Sequence, residues 1–236
     1  MGDLISRQAA AKDILADTRT TFTNAAARGG IWKSLAEQQI GSILALVASL
    51  DAQHTATEFA AAGAAAALGA ENIKADKLLG KISDDTWNAV GRPAADPYFS
   101  LLFPGGFSYY ADGDVMGQPD RMMYLVDLLR SGMHPFLPAD VANASADAVE
   151  AAASSLRARA DESSKLAGKL AHLGRMRTAL ARVAQMELAN LKRLYKTQGL
   201  SEAEIHTVIP SRPRAASKKK ELAARIAAPV QGGESG

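Results

Sequence analysis

The sequence contains no cysteine, and that absence alone removes disulfides, thiolate metal sites and thiol nucleophiles from consideration. It suits the reducing cytoplasm. No apolar run is long enough to cross a bilayer unbroken: the most apolar region, residues 40–70, carries Asp51, Gln53, His54 and Glu58 in its middle, and ionised groups at the centre of a spanning helix cost several kcal/mol. A buried core helix is the better expectation for that region, and membrane association is not expected. The first residues, with Asp3, Arg7, Gln8 and Lys12, lack the basic start and apolar core of a secretory signal. There is no Walker loop, no strand-linked Gly-x-Gly-x-x-Gly and no Gly-x-Ser-x-Gly elbow, which leaves phosphate-cradling and serine-hydrolase chemistry without a motif.

Histidine is scarce, with His54, His134, His172 and His206 far apart in sequence. A carboxylate-bridged di-iron bundle needs Glu and Glu-x-x-His sets on several helices, and these are missing. Asp51, His54 and Glu58 share one helical face, but one helix supplies at most half a site. Asp112-Gly113-Asp114 resembles a fragment of a calcium loop without the later oxygen ligands at the required spacing, and reads as a turn. No metal, cofactor or catalytic residue is therefore assigned.

Charge is unevenly placed. Residues 1–150 hold 11 Lys and Arg against 18 Asp and Glu, whereas residues 151–236 hold 16 against 7, so a net −7 faces a net +9. Such an asymmetry points to an anionic partner for the second half, or to pairing of the halves within or between molecules.

The apolar spacing predicts an all-α fold: an elongated helical bundle with one or two long helices and an irregular, aromatic-rich insertion at about 83–119. A first helix ends at Gly29-Gly30. A second begins at Ile31 with Trp32, Leu35, Ile40, Ile43, Leu44, Val47 and Leu50 at helical spacing. It continues through an alanine tract to Leu78-Leu79, unbroken or broken near Gly63 or Gly69. A short, densely apolar helix covers about 120–131. The longest pattern runs from Ala139 to Gln198, roughly 90 Å if continuous at 1.5 Å per residue. Leu166, Leu170, Leu173, Leu180, Ala184, Leu191 and Leu194 approximate a coiled-coil seam that Arg177 and Glu187 interrupt. Ser201 with Glu204 forms a capping box for a last short helix. The division expected is a single helical domain over 1–210, followed by a basic tail over 211–236.

Two segments stand out as candidate contact sites. Six of the chain's 13 aromatic residues, Tyr98, Phe99, Phe103, Phe107, Tyr109 and Tyr110, fall within thirteen positions around Pro104-Gly105-Gly106. That turn would suit a hairpin or an extended loop with an aromatic stem. The rings either plug the end of a bundle or are presented to a neighbouring subunit, where rigid rings give contact area at little entropic cost. In the tail, Arg212, Arg214, Lys218, Lys219, Lys220 and Arg225 surround Leu222 and Ile226, a pattern suited to an anionic partner or to docking in a partner's groove.

From these features we expect a structural protein that assembles with itself into an oligomer or polymer through its long helices and aromatic segment. Two alternatives stand beside it: a nucleic-acid-associated helical protein acting through the basic arm, and an enzyme or metal protein whose site is scattered through the sequence.

Overall fold

The computed structural model describes residues 9–210. Among them the all-α expectation holds: seven helices and no strand. The order is α1 (Ala11–Arg28), α2 (Gly30–Ala89), α3 (Phe99–Leu102), α4 (Ser108–Ala111), α5 (Gln118–Arg130), α6 (Ala139–Thr197) and α7 (Glu202–Val208). The chain divides into two compact units, and each draws on both long helices. Unit 2 is residues 54–172 and unit 1 is the remainder.

α2 and α6 are each one uninterrupted helix. Gly63 and Gly69 lie inside α2, and Gly168 and Gly174 inside α6. A helical glycine costs about 1 kcal/mol relative to alanine, and the alanines flanking the first pair offset it. Glycine acts as a stop only at the ends. Gly29 and Gly199 have φ of 70° and 77°, a left-handed conformation that a Cβ disfavours. Beyond Gly199 the Leu200 amide donates to the Tyr195 carbonyl at 3.2 Å, satisfying a C-terminal carbonyl of α6.

In unit 1 the buried positions of α2, namely Ala36, Ile40, Ile43, Val47 and Leu50, alternate at intervals of four and three. Ala181, Ala184, Leu188, Leu191 and Tyr195 of α6 do the same. Two such stripes pack along their length because three-four spacing keeps the apolar residues on one face. The helices run antiparallel. The Tyr195 hydroxyl donates to the Trp32 carbonyl at 2.8 Å, Gln39 donates to Glu187 at 2.8 Å, and Arg177 pairs with Asp51 at 3.4 Å. The two residues that break the seam in α6, Arg177 and Glu187, are thus each met by a polar residue of α2. α1 adds Ile14 and Leu15 to this core. Its buried Thr18 and Thr21 satisfy their hydroxyls on the Ile14 and Asp17 carbonyls of their own helix, at 2.8 and 2.7 Å.

α7 closes unit 1 against α1. Ser201 caps it as the sequence implies, with both halves of the capping box formed. Ile205, Val208 and Ile209 are buried in the core. Glu202 ties α7 to the end of α6, reaching Lys196 at 2.5 Å and also Lys192.

In unit 2 the α2 stripe resumes as Ala75, Leu79, Ile82 and Thr86, and α6 answers with Ala146, Val149, Ala153 and Leu156. Ser155 of α6 donates to Glu71 of α2 at 2.8 Å, again with antiparallel sense. α5 lays Met122, Leu125, Val126 and Leu129 on this core, and Leu102, Phe103 and Tyr110 complete it. The polar N-terminal end of α5 is held by Gln118, fully buried, whose amide donates to Asp76 of α2 at 2.8 Å.

The bonds to Lys192 and then Lys196 hold the Glu202 carboxyl down at about 2. A carboxyl depressed in the folded state stabilises above its ordinary range and loses that contribution as pH falls through the folded value. The expected outcome is an acid-induced loosening of α7 between pH 4.5 and about 2. Followed by amide exchange of Ile205 and Val208, it should shrink in Glu202→Gln. Identical acid profiles for the two proteins would contradict the assignment.

Candidate self-contact surface

The aromatic segment is helical rather than extended, which corrects the expectation of a hairpin or an extended loop around Pro104. The cause is local. Asp96 accepts the Tyr98 amide at 2.9 Å and the Phe99 amide at 3.3 Å through one carboxylate oxygen, starting the single turn of α3 in the way a side-chain cap starts any helix. Gly105 and Gly106, with φ of 84° and 87°, reverse the chain and lead into α4.

The segment's rings divide into anchors and a rim. Phe103 and Tyr110 are 2% and 0% exposed. Phe103 packs on Phe99 at 5.0 Å between ring centroids and edge-on to Tyr110 at 6.1 Å. The Tyr110 hydroxyl donates to the Leu102 carbonyl at 2.6 Å, and burial, with the neighbouring Tyr109, pushes its phenol up to about 12. Phe99 is half-buried and meets Trp87 of α2 edge-on at 5.0 Å. The rim consists of Tyr98, Phe107 and Tyr109, at 40%, 41% and 52% exposed. Phe107 leans over Gly80 of α2, where a Cβ would stand 3.8 Å from its ring. Of the six candidate rings, these three present a surface; Phe103 and Tyr110 belong to the core of unit 2.

Sequence reasoning missed the neighbours that complete the exposed apolar surface of unit 2. Phe136, 71% exposed, stands 6.0 Å from the Tyr98 ring. Leu101, Tyr124 and Met133 are also exposed. On α2 a stripe of exposed apolar positions, Phe59, Ala62, Ala66, Gly69 and Ile73, repeats at intervals of three and four and so shares one helix face. Phe59 is 85% exposed. The signal was present as a second apolar period on α2, parallel to the buried one.

Beneath Tyr98 and Phe136 lies a pair that the sequence did not announce. His134 donates through Nε2 to Asp96 at 2.7 Å, and the two side chains are 1% and 7% exposed. Burial would raise the Asp96 carboxyl, but His134 and the Phe99 and Tyr98 amides outweigh it and hold it below its ordinary range. A buried carboxylate and imidazole satisfy each other only if both loops stay in register, so the pair clamps the segment before α3 to the segment before α6. Among the described residues the other ring nitrogen of His134, Nδ1, has no hydrogen-bond partner.

The remaining candidates are occupied or lie elsewhere. Asp51 is paired with Arg19 and Arg177, and His54 with Glu58 at 3.3 Å. The Asp112-Gly113-Asp114 segment is a turn, its Asp112 and Asp114 backbone carbonyls accepting Arg121 at 2.9 and 3.2 Å and its Asp114 carboxylate accepting the Met116 amide at 3.1 Å. Among the described residues no three His, Asp or Glu side chains converge as metal ligands, and no helix is long and apolar enough to cross a membrane. Arg212, Arg214, Lys218, Lys219, Lys220, Leu222, Arg225 and Ile226 lie outside the described residues. No protein-family model, curated protein or solved structure matches the chain.

The division into anchors and rim has a measurable consequence. Phe103→Ala should cost about 3–5 kcal/mol in urea unfolding, as truncation of a buried ring does, whereas Tyr109→Ala should cost less than about 1 kcal/mol, as exposed substitutions generally do. Equal losses would place both rings in the core.

Proposed function

We propose that the chain is a structural protein that assembles with copies of itself, and that unit 2 carries the contact. The observation that carries this reading is the amount of large apolar side chain that unit 2 leaves in water on rigid supports. Phe59 and Ile73 stand on α2, and Tyr98, Phe107 and Tyr109 stand on helical turns whose roots are pinned by Phe103, Tyr110 and the Asp96–His134 pair. Rigid rings on a fixed base lose little entropy on association, which is why contact surfaces favour them. Large apolar side chains grouped on one surface mark association sites more often than inert surface.

Charge supports the same reading. Unit 2 holds 10 Lys and Arg against 15 Asp and Glu, and the rest of the chain 17 against 10. A net −5 on one part and +7 on the other allows unlike parts of two copies to meet, a head-to-tail contact that yields rings or open filaments according to whether it closes. The three-four spacing of α2 and α6 supports coiled-coil packing of the two long helices, a scaffold suited to bearing such contacts. A cysteine-free chain suits a cytoplasmic setting.

A second reading rests on the six Lys and Arg of residues 211–236: association with nucleic acid through counterion release. It differs in its salt response. Apolar contacts persist or strengthen with salt, whereas phosphate contacts weaken steeply.

The test separates surface from core. Phe59→Ser combined with Phe107→Ser should lower the sedimentation coefficient distribution toward that of a single chain while far-ultraviolet circular dichroism stays unchanged. An unchanged distribution, with the helices intact, would remove these rings from any contact.

A further inference from the structure

We propose that the groove between α2 and α6 in unit 2 receives the C-terminal segment 211–236 of a second copy of the chain. The proposal rests on the self-assembly reading above and names the contact it would use.

The groove has a volume of about 600 Å³, within the range of about 300–1,000 Å³ typical of sites that enclose a ligand or anchoring side chains. Its walls are apolar: Leu78 and Ile82 from α2, Val141, Ala144 and Ala148 from α6. The alanines on the α6 side keep that wall low, leaving room for the occupant's side chains. One edge carries Asp85 and Lys81, which both line the groove and pair at 2.6 Å, so the acidic character beside it comes from neighbouring residues. Asp140 lies one turn before Ala144 on the same helix face and is exposed. Among the described residues no basic side chain is paired with Asp140.

The segment outside the described residues has the complementary pattern. Leu222 and Ile226 are four residues apart, so one helical turn would point both into a groove. Lys218, Lys219, Lys220 and Arg225 flank them, and the alanines at 223, 224, 227 and 228 let the backbone approach closely. With six Lys and Arg against two Glu, residues 211–236 carry +4 against the −5 of unit 2. The segment departs from Ile209, which is fixed in the core of unit 1. Twelve or so extended residues from there to Leu222 span up to about 40 Å, enough to reach a neighbouring molecule.

The absence of native cysteine makes the test clean. Two full-length single variants, Ala148→Cys at the groove and Ala223→Cys in the segment, are mixed under mild oxidation and resolved without reductant. A mixed disulfide dimer is expected, several-fold more abundant than when Ser154→Cys, exposed elsewhere on α6, replaces Ala148→Cys. Adding Lys218→Glu, Lys219→Glu and Lys220→Glu to the segment partner should lower that yield several-fold. A mixed yield no higher than the Ser154→Cys control overturns the proposal. If light scattering then still shows an oligomer, self-assembly stands and only this contact falls; a single-chain mass removes both. The double variant Ala148→Cys with Ala223→Cys forming its disulfide within one chain also overturns it, because the occupant would then be the molecule's own segment.

Discussion

In each unit the apolar face of α2 meets the apolar face of α6, and every smaller element is placed by what that pairing leaves uncovered. Two helices of this length cannot shield each other from all sides, so the densest stretches of seam recruit a third layer. In unit 1 the layer is α1 with α7, which cover Ile40, Leu188 and Leu191. In unit 2 it is α5 with the two single-turn helices, which cover Leu79, Val149 and Leu156. Between the stretches of α2 and α6 that build these clusters the buried positions thin to Leu50, Thr57 and Ala64 on α2 and Ala160 and Leu173 on α6. Small seam residues bury little area, each methylene being worth about 0.8 kcal/mol, and among the described residues no further helix covers Phe59, which is left 85% exposed.

That uneven coverage leaves the aromatic segment with buried and exposed rings. Leu102, Phe103 and Tyr110 fill the core, and the hydroxyl of Tyr110 returns to the Leu102 carbonyl, which satisfies that buried group. Tyr98, Phe107 and Tyr109 lean outward from that fixed root. In the self-assembly proposal these outward rings are the contact, and the Asp96–His134 pair, by joining the loops on either side, holds their base in place. The groove in the same unit is apolar on its walls, with the Lys81–Asp85 pair at one edge, and is the feature that the proposal assigns to the C-terminal segment of a second copy.

Much of this architecture is written in residue spacing. The end of α1 at Gly29, the presence of α5 in the Met122 to Leu129 cluster and the start of α7 at the Ser201–Glu204 box follow from the sequence, whereas α1 begins only at Ala11 and not at Asp3, where its spacing would start it. The continuity of α2 and α6 is harder to read, because Gly63, Gly69, Gly168 and Gly174 resemble breaks until their neighbours are seen to carry the helix through. The aromatic segment misleads for a different reason. Pro104-Gly105-Gly106 has the composition of a hairpin turn, yet the flanking geometry is decided by Asp96, whose capping bonds depend on a histidine 38 residues away. A long-range pair of that kind leaves no local period. Nor does the division of the chain at residues 53 and 173, which falls inside unbroken helices, at 53 with no proline or glycine beside it and at 173 beside Gly174, through which α6 continues. The inward or outward sense of each ring was likewise invisible: Phe103 and Phe107 are both phenylalanines beside the same turn, and only the packing of α5 and the closeness of Gly80 separate them.

The most direct measurement is the absolute mass of the unmodified, nuclease-treated chain by light scattering across a salt series. Assembly through apolar side chains of unit 2 predicts a mass that is a multiple of 24.8 kDa and that persists at high salt. A mass of one chain at every salt concentration would contradict it.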